Sequence, residues 1–81
     1  KERVSEAALQ VKNNEISPIF YFMELKLMDL TLLSSYTGFW KWTIKRHFKP
    51  SVFKNLSDTK LTTYAKAFDM SVEELKNFNG Q

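Results

Sequence analysis

The chain has 81 residues, of which 43% are hydrophobic and 15% aromatic, and its formal net charge is +3. This length and composition argue for one folded domain with a single modest core and against a disordered tail. The absence of cysteine excludes disulfides and cysteine-based zinc sites, and with no membrane-length apolar run and no visible signal peptide we expect a cytoplasmic protein.

The first 15 residues are mostly polar. Val4, Ala8 and Val11 recur at helical spacing and predict a short amphipathic helix, which Asn13 and Asn14 interrupt. A disordered or loosely docked arm fits the same residues. We therefore divide the chain into an N-terminal arm or short helix at residues 1–15 and a domain at residues 16–81.

A helix is predicted to start at Ser17, as N-cap, and Pro18, as first helical residue, and to run through Leu27. Its residues 19–23 are five consecutive apolar residues, more than one buried stripe requires. A strand would fit these five residues alone, but no partner strand is visible elsewhere. The surplus aromatic side chains need cover, either from the N-terminal segment or from a second copy of the chain.

Residues 30–48 predict two short helices joined by a tight turn at residues 37–39. Asp29 caps the first helix, about residues 30–36, with Leu33 facing inward, and Gly38 supplies the positive φ that the turn needs. The second helix, about residues 40–48, has two different faces. Its apolar side comprises Trp40, Ile44, His47 and Phe48. Its opposite side comprises Lys41, Trp42, Lys45, Arg46 and Lys49.

The rest of the chain predicts two more helices. Pro50 stops the preceding helix, and a connector of about nine residues follows, with Val52, Phe53 and Leu56 packed beneath it. Ser57 or Asp58 caps a helix whose buried stripe is Leu61, Tyr64, Ala65 and Phe68.

Asp69 and Met70 form a turn before the last helix. The pattern S-x-x-E at residues 71–74 is a capping box. In the last helix Val72, Leu75 and Phe78 are expected to face inward, and the helix is expected to end at Asn79-Gly80. The expected fold is an all-α bundle of about five short helices around a central helix-turn-helix.

Positive charge is concentrated in the middle of the sequence. Residues 1–38 and residues 61–81 each have a net charge of −1, whereas residues 39–60 have +5. The cations of this block are Lys41, Lys45, Arg46, Lys49, Lys54 and Lys60. A basic block that coincides with a helix-turn-helix is expected of a phosphate-binding surface, and a solvated charged face is the simpler alternative.

The sequence predicts neither an enzyme nor a metal or cofactor site. His47 is the only histidine and shares the apolar side of its helix, which indicates a satisfied, partly buried imidazole. The neighbouring Glu73 and Glu74 are explained by the capping box. Ser34 and Ser35 have no histidine or aspartate placed to activate them, and no glycine-rich phosphate loop is present.

The aromatic residues around the turn have different expected roles. Phe39 and Trp40 are predicted to pack in the core. Trp42 lies roughly 200° from Trp40 around the helix and cannot share that burial. It can contact a thymine methyl group or a sugar, anchor a protein interface, or lie folded over on the surface.

From about residue 27 to residue 78 the chain resembles the lambda-repressor-like helix-turn-helix family, the Cro/repressor type of phages and bacterial regulators. The family's buried residues and turn glycine match Leu33, Gly38 and Ile44. Its closing pattern appears at residues 65–75 as A-K-A-F-D-M-S-V-E-E-L, which is the more specific match. Two matches at the right separation are harder to produce by chance than a helix-turn-helix alone.

The resemblance implies that the helix at residues 40–48 enters the major groove of a double-stranded DNA operator, and that the protein binds it as a homodimer. By position, the base contacts would be Lys41, Trp42 and Arg46. The phosphate contacts would be Thr31, Lys45, Lys49, Lys54, Asn55 and Lys60. Arginine and lysine can donate to guanine, and backbone cations release counterions.

The chain departs from the family in residues that usually read DNA. Trp40 and Trp42 replace polar residues, Leu30 and Thr31 replace glutamine or serine, and Phe48 replaces a polar or acidic residue. An alternative is therefore an antirepressor or modulator on the same fold. It would bind another regulator through Trp40, Trp42 or the aromatic run of Phe20 and Phe22.

Overall fold

Seven short helices follow one another in the computed structural model, which describes residues 2–80 and contains no strand in that range. They are α1 (Glu2–Lys12), α2 (Pro18–Leu25), α3 (Leu30–Thr37), α4 (Lys41–His47), α5 (Pro50–Phe53), α6 (Asp58–Phe68) and α7 (Val72–Asn77). The predicted all-α class is confirmed. The expected number of five is too low, because the N-terminal segment is helical and the connector contains α5.

Side-chain caps start four of the helices where the sequence predicts them. Ser17 accepts from the backbone N–H of Ile19, Asp29 from Leu32 and Ser57 from Lys60. In α7 the Ser71 hydroxyl and the Glu74 carboxylate satisfy each other's backbone N–H groups, which completes the capping box. These bonds satisfy N–H groups that a helix start would otherwise leave without partners.

The core lies between α2 and the four helices α3, α4, α6 and α7. The helix α2 contributes Ile19, Phe22 and Met23. The other helices contribute Leu33, Ile44, Leu61, Tyr64, Ala65, Phe68 and Leu75. The predicted inward stripe of α6 is therefore confirmed. Val72 and Phe78 are half-buried and pack against the same cluster.

The N-terminal segment is a helix that packs on α2. Its fully buried residue is Ala7, whereas the predicted Val4, Ala8 and Val11 are only half-buried. Gly80 also lies close against α1, since a Cβ added there would be 2.5 Å from the Ala8 carbonyl oxygen. The segment is therefore a helix packed on the domain, and not a disordered or loosely docked arm.

The surplus aromatic residues of α2 are covered from within the chain. Phe20 makes an edge-to-face contact with Phe48, their ring centroids 5.2 Å apart, and Tyr21 stacks on Phe78 at 4.2 Å. Phe22 is only 7% exposed. No second copy is needed to bury this run.

Three helix ends differ from the prediction. The helix α2 ends at Leu25, two residues early, because Leu27 adopts a left-handed backbone conformation. Pro50 begins the short helix α5 instead of only stopping α4, which has already ended at His47. The helix α7 ends at Asn77 because the backbone of Phe78 is extended.

Candidate nucleic-acid interface

The turn between α3 and α4 is held by side-chain hydrogen bonds. Gly38 has φ +81° and its N–H donates to the carbonyl of Ser34 at 2.8 Å. The Ser34 hydroxyl donates to the Phe39 carbonyl at 2.6 Å. The Thr37 hydroxyl donates to Leu33 and accepts from the N–H of Phe39. The glycine was predicted, whereas these hydroxyl bonds were not, because serine and threonine inside a helix carry no distinctive spacing.

One side of α4 is buried and the other is basic. Ile44 and His47 are buried, and Thr43, on the same side of the helix next to His47, is half-buried. The four exposed side chains are those of Lys41, Trp42, Lys45 and Arg46. At about 100° per residue these four fall within an arc of about 140°. The predicted basic face therefore lies in solvent as one continuous surface, which we call the α4 arc.

Trp40 is not in the core, contrary to the prediction. Its side chain is 72% exposed. The residue is the N-cap of α4 with an extended backbone (φ −64°, ψ 148°), so the helical projection that placed it beside Ile44 does not apply. Trp42 is 61% exposed, as the helical spacing predicts.

The start of α4 is locally unfavourable for a helix. Trp40 makes no side-chain capping bond, and Lys41 places a positive charge on the first turn, which contains no acidic residue. Polar caps and negative charge are what a helix N-terminus prefers. Residues that oppose local stability and lie exposed are typical of a functional surface.

His47 attaches the buried side of α4 to α6. It is 4% exposed, and its Nδ1 lies 2.6 Å from the Tyr64 hydroxyl. Burial lowers the pKa of His47, and the nearby charges of Lys60 and Arg46 lower it further. Burial raises the pKa of Tyr64. A neutral imidazole can accept a hydrogen bond from the Tyr64 hydroxyl at Nδ1. The predicted buried histidine with a hydrogen-bond partner is therefore confirmed.

Phe39 packs over this pair and completes the support of α4. Its ring centroid lies 5.8 Å from that of His47 and 5.2 Å from that of Tyr64. Its half-buried ring packs against the core, close to the predicted role.

Ser17 fastens the other end of α4 to the start of α2. Its hydroxyl donates to the His47 carbonyl at 2.6 Å, and its backbone N–H donates to the Phe48 carbonyl at 2.7 Å. Ser17 is fully buried. Carbonyls at a helix C-terminus have no partner inside the helix. The sequence predicts the capping of α2 by Ser17, but no local pattern predicts its bonds to the carbonyls at the end of α4.

The residues expected at phosphates are all exposed but come from several elements. Thr31 lies in the first turn of α3, Lys45 on the α4 arc and Lys49 before α5. Lys54 and Asn55 follow α5, and Lys60 lies in the first turn of α6. The Asn55 amide donates to the carbonyl of Ser51 at 3.1 Å. The bond between His47 and Tyr64, at 2.6 Å, joins α4 to α6, the helix whose first turn carries Lys60.

The basic block is not neutralised by ion pairs. Between residues 3 and 80 the only ion pair joins Arg3 and Glu24, at 3.1 Å, far from the block in sequence. In the same range no cluster of metal-ligating side chains is found, and no helix has the length and hydropathy of a membrane span. The block therefore presents its charges to solvent.

Comparison with protein-family models found no family that matches the chain, and comparisons with curated proteins and solved structures found no match either.

Proposed function

We propose that the protein is a sequence-specific DNA-binding transcriptional regulator of the Cro/repressor type, with α4 in the major groove. The observation that carries this proposal is the α4 arc. Three cations without carboxylate partners and one indole share the exposed side of a helix whose other side is fixed by Ile44 and His47. A helix of this kind can present side chains to base edges while the domain behind it stays rigid.

The α4 arc divides into two roles. Lys41, Trp42 and Arg46 face base edges, where arginine and lysine recognise guanine and the indole contacts a thymine methyl group. Lys45 lies beside them, toward the phosphates. The remaining phosphate contacts come from the flanking elements: Thr31, Lys49, Lys54, Asn55 and Lys60. These contacts set affinity and orientation, and the first group sets sequence preference.

One domain of this kind binds DNA weakly. The seven residues of α4 extend only about 10 Å at 1.5 Å per residue. Operators of such proteins are normally read by two copies on half-sites about 34 Å apart. We propose that this protein also needs two copies to hold an operator.

Titration with mixed-sequence duplex DNA at several salt concentrations tests the proposal. Trp40 and Trp42 are the only tryptophans, and both are exposed beside the proposed interface, so their fluorescence reports binding directly. We expect an affinity that falls steeply as salt rises, with a slope of about −0.9 for each phosphate contact. No binding at low salt would contradict the proposal.

The second candidate is a protein-binding modulator on the same fold, and the observation that favours it is the exposure of both tryptophans. Tryptophan is enriched in the energetic centres of protein interfaces. Residues 20–22 do not contribute an exposed aromatic surface, since Phe22 is buried and Phe20 is half-buried against Phe48. A modulator of this kind should give no response to duplex DNA even at low salt, whereas a DNA-binding regulator should respond and lose that response as salt rises, so the same titration separates the two candidates.

A further inference from the structure

Leu27 occupies a position where its side chain and its backbone are both unfavourable. It follows the end of α2, with its N–H bonded to Glu24 and the N–H of Met28 bonded to Met23 at 2.9 Å. This pair of bonds is the Schellman motif, whose left-handed residue is usually glycine. Leu27 has φ +58° there, and its side chain is 90% exposed.

No contact within the chain explains a leucine at this position. Glycine would adopt the same backbone conformation without strain, and asparagine nearly so. Leu27 is not among the residues of the core or those packed against it. A strained residue with an exposed apolar side chain points to a contact outside the chain.

A groove of about 960 Å³ lies beside Leu27, between α2 and α3. Its apolar lining besides Leu27 is Phe20, Met23, Met28, Leu30, Leu32 and Phe48. Its charged residues are Arg3, Glu24 and Asp29, one cation and two anions. We call this surface the α2–α3 groove. It carries a projecting leucine and an apolar recess on one side of the molecule.

We propose that the α2–α3 groove binds a second copy of this chain, with Leu27 of each copy inserted into the groove of the other. A two-fold axis makes such a contact reciprocal, because the projection and the recess belong to the same surface. Within one copy Arg3 and Glu24 already form an ion pair, so the contact would bring together few like charges, whereas two copies of the α4 arc would repel each other. The apolar lining, with its one cation already paired to Glu24, makes most of the groove unsuited to DNA.

This pairing covers part of the proposed DNA surface. Thr31, expected at a phosphate, lines the same groove. A second copy seated there would keep the Thr31 hydroxyl from DNA. Two copies on one operator would therefore meet through another surface, and the pairing proposed here belongs to the protein without DNA.

The test is the substitution Leu27→Gly, measured without DNA so that it does not depend on the proposed function. Sedimentation equilibrium should show a concentration-dependent dimer for the wild type. Loss of two buried leucines should raise the dimer Kd on the order of 100-fold. At dilution, where both proteins are monomeric, relief of strain should raise the Tm of the variant by roughly 4 °C. An association defect in a more stable protein cannot be attributed to misfolding.

Two further variants make the test specific. Leu32→Glu places a charge in the groove at the third residue of α3, where glutamate suits the helix, and should also abolish the dimer. Leu9→Ala removes another exposed leucine, which lies on α1 and outside the groove, and this substitution should leave the dimer intact. A wild type that stays monomeric at millimolar concentration, or a dimer that Leu27→Gly does not weaken, would overturn the proposal.

Discussion

At the scale of single residues, His47 supports the exposed basic helix α4 from its buried side. Its imidazole is enclosed by Phe39 and Tyr64, and the charges of Lys60 and Arg46 lie near it. A proton on Nδ1 would remove the acceptor for the Tyr64 hydroxyl and add a positive charge next to two others. Burial and the two nearby cations therefore favour the neutral imidazole in the folded protein.

Stability should consequently fall as the pH drops below about 6.5. The pKa of His47 is lower in the folded protein than in the unfolded chain, so between the two values the unfolded state binds more protons. The free energy of unfolding then decreases by at most about 1.4 kcal/mol per pH unit. Urea unfolding between pH 7.5 and 5.5 measures this slope, and His47→Gln, which cannot titrate, should flatten it. An equal slope in both proteins would assign the effect to other groups.

The side chains of the proposed interface should separate into two classes on mutation. Arg46→Ala and Lys41→Ala remove base contacts, so affinity for a selected operator should fall by about 1–3 kcal/mol and the sequence preference should relax. Lys49→Ala and Lys54→Ala remove phosphate contacts, so binding to all sequences should weaken similarly and the salt slope should drop by about one unit each.

The measurement is anisotropy of labelled operator and scrambled duplexes at several salt concentrations. Lys12→Ala is the matched control, since this exposed lysine ends α1 and lies outside the basic block. It should change neither affinity nor slope. If all four substitutions reduced binding equally on both duplexes, the base-contact assignment would be wrong.

At the scale of elements, Ser17 connects two helices that are distant in sequence. It caps α2 and also satisfies the last carbonyls of α4. Ser17→Ala should therefore lower the free energy of unfolding by about 2–3 kcal/mol, more than the loss of a cap alone, because the buried carbonyl of His47 also loses its donor. Ser57→Ala, an exposed residue that only caps α6, should cost about 1 kcal/mol.

Chemical denaturation of the wild type and the two variants measures the loss in free energy of unfolding that each substitution causes. Similar losses would mean that the bond from Ser17 to α4 contributes little. We also expect Ser17→Ala, and not Ser57→Ala, to broaden the amide signals of α4 in NMR spectra, since only the first loosens the helix end.

Local signals made most of these elements predictable. The caps at Ser17, Asp29 and Ser71 and the glycine of the turn act within a few residues, so the sequence shows them without knowledge of the fold. The buried stripe of α6 has a clear period. The short helix α5 was not predictable, because four residues starting at proline show no period and depend on packing.

The candidate site was predictable only in part for the same reason. The α4 arc follows from helical spacing, which holds inside the helix. Trp40 lies just outside it, so the same spacing predicted burial for an exposed side chain. The bonds of His47 to Tyr64 and of Ser17 to α4 join residues 17 and 30 positions apart, which no local pattern reveals.

At the scale of the whole molecule, two surfaces of different chemistry share one residue. The proposed DNA surface consists of the basic α4 arc together with Thr31 and the other expected phosphate contacts, and the α2–α3 groove is mostly apolar. Thr31 lines the groove and is also one of the proposed phosphate contacts, so under both proposals a phosphate and a second copy of the chain would compete for it. Self-association of the free protein should then oppose binding to DNA.

This competition predicts a dependence of DNA binding on protein concentration. Below the Kd of self-association, wild type and Leu27→Gly should bind a labelled operator alike. Above it, part of the wild type is paired through the groove, so its binding curve should rise less steeply than that of the variant, which stays available. Anisotropy titrations spanning this Kd, with Leu9→Ala as control, measure the difference. Identical curves at all concentrations would show that the two surfaces are independent, and Thr31 would then lie outside one of them.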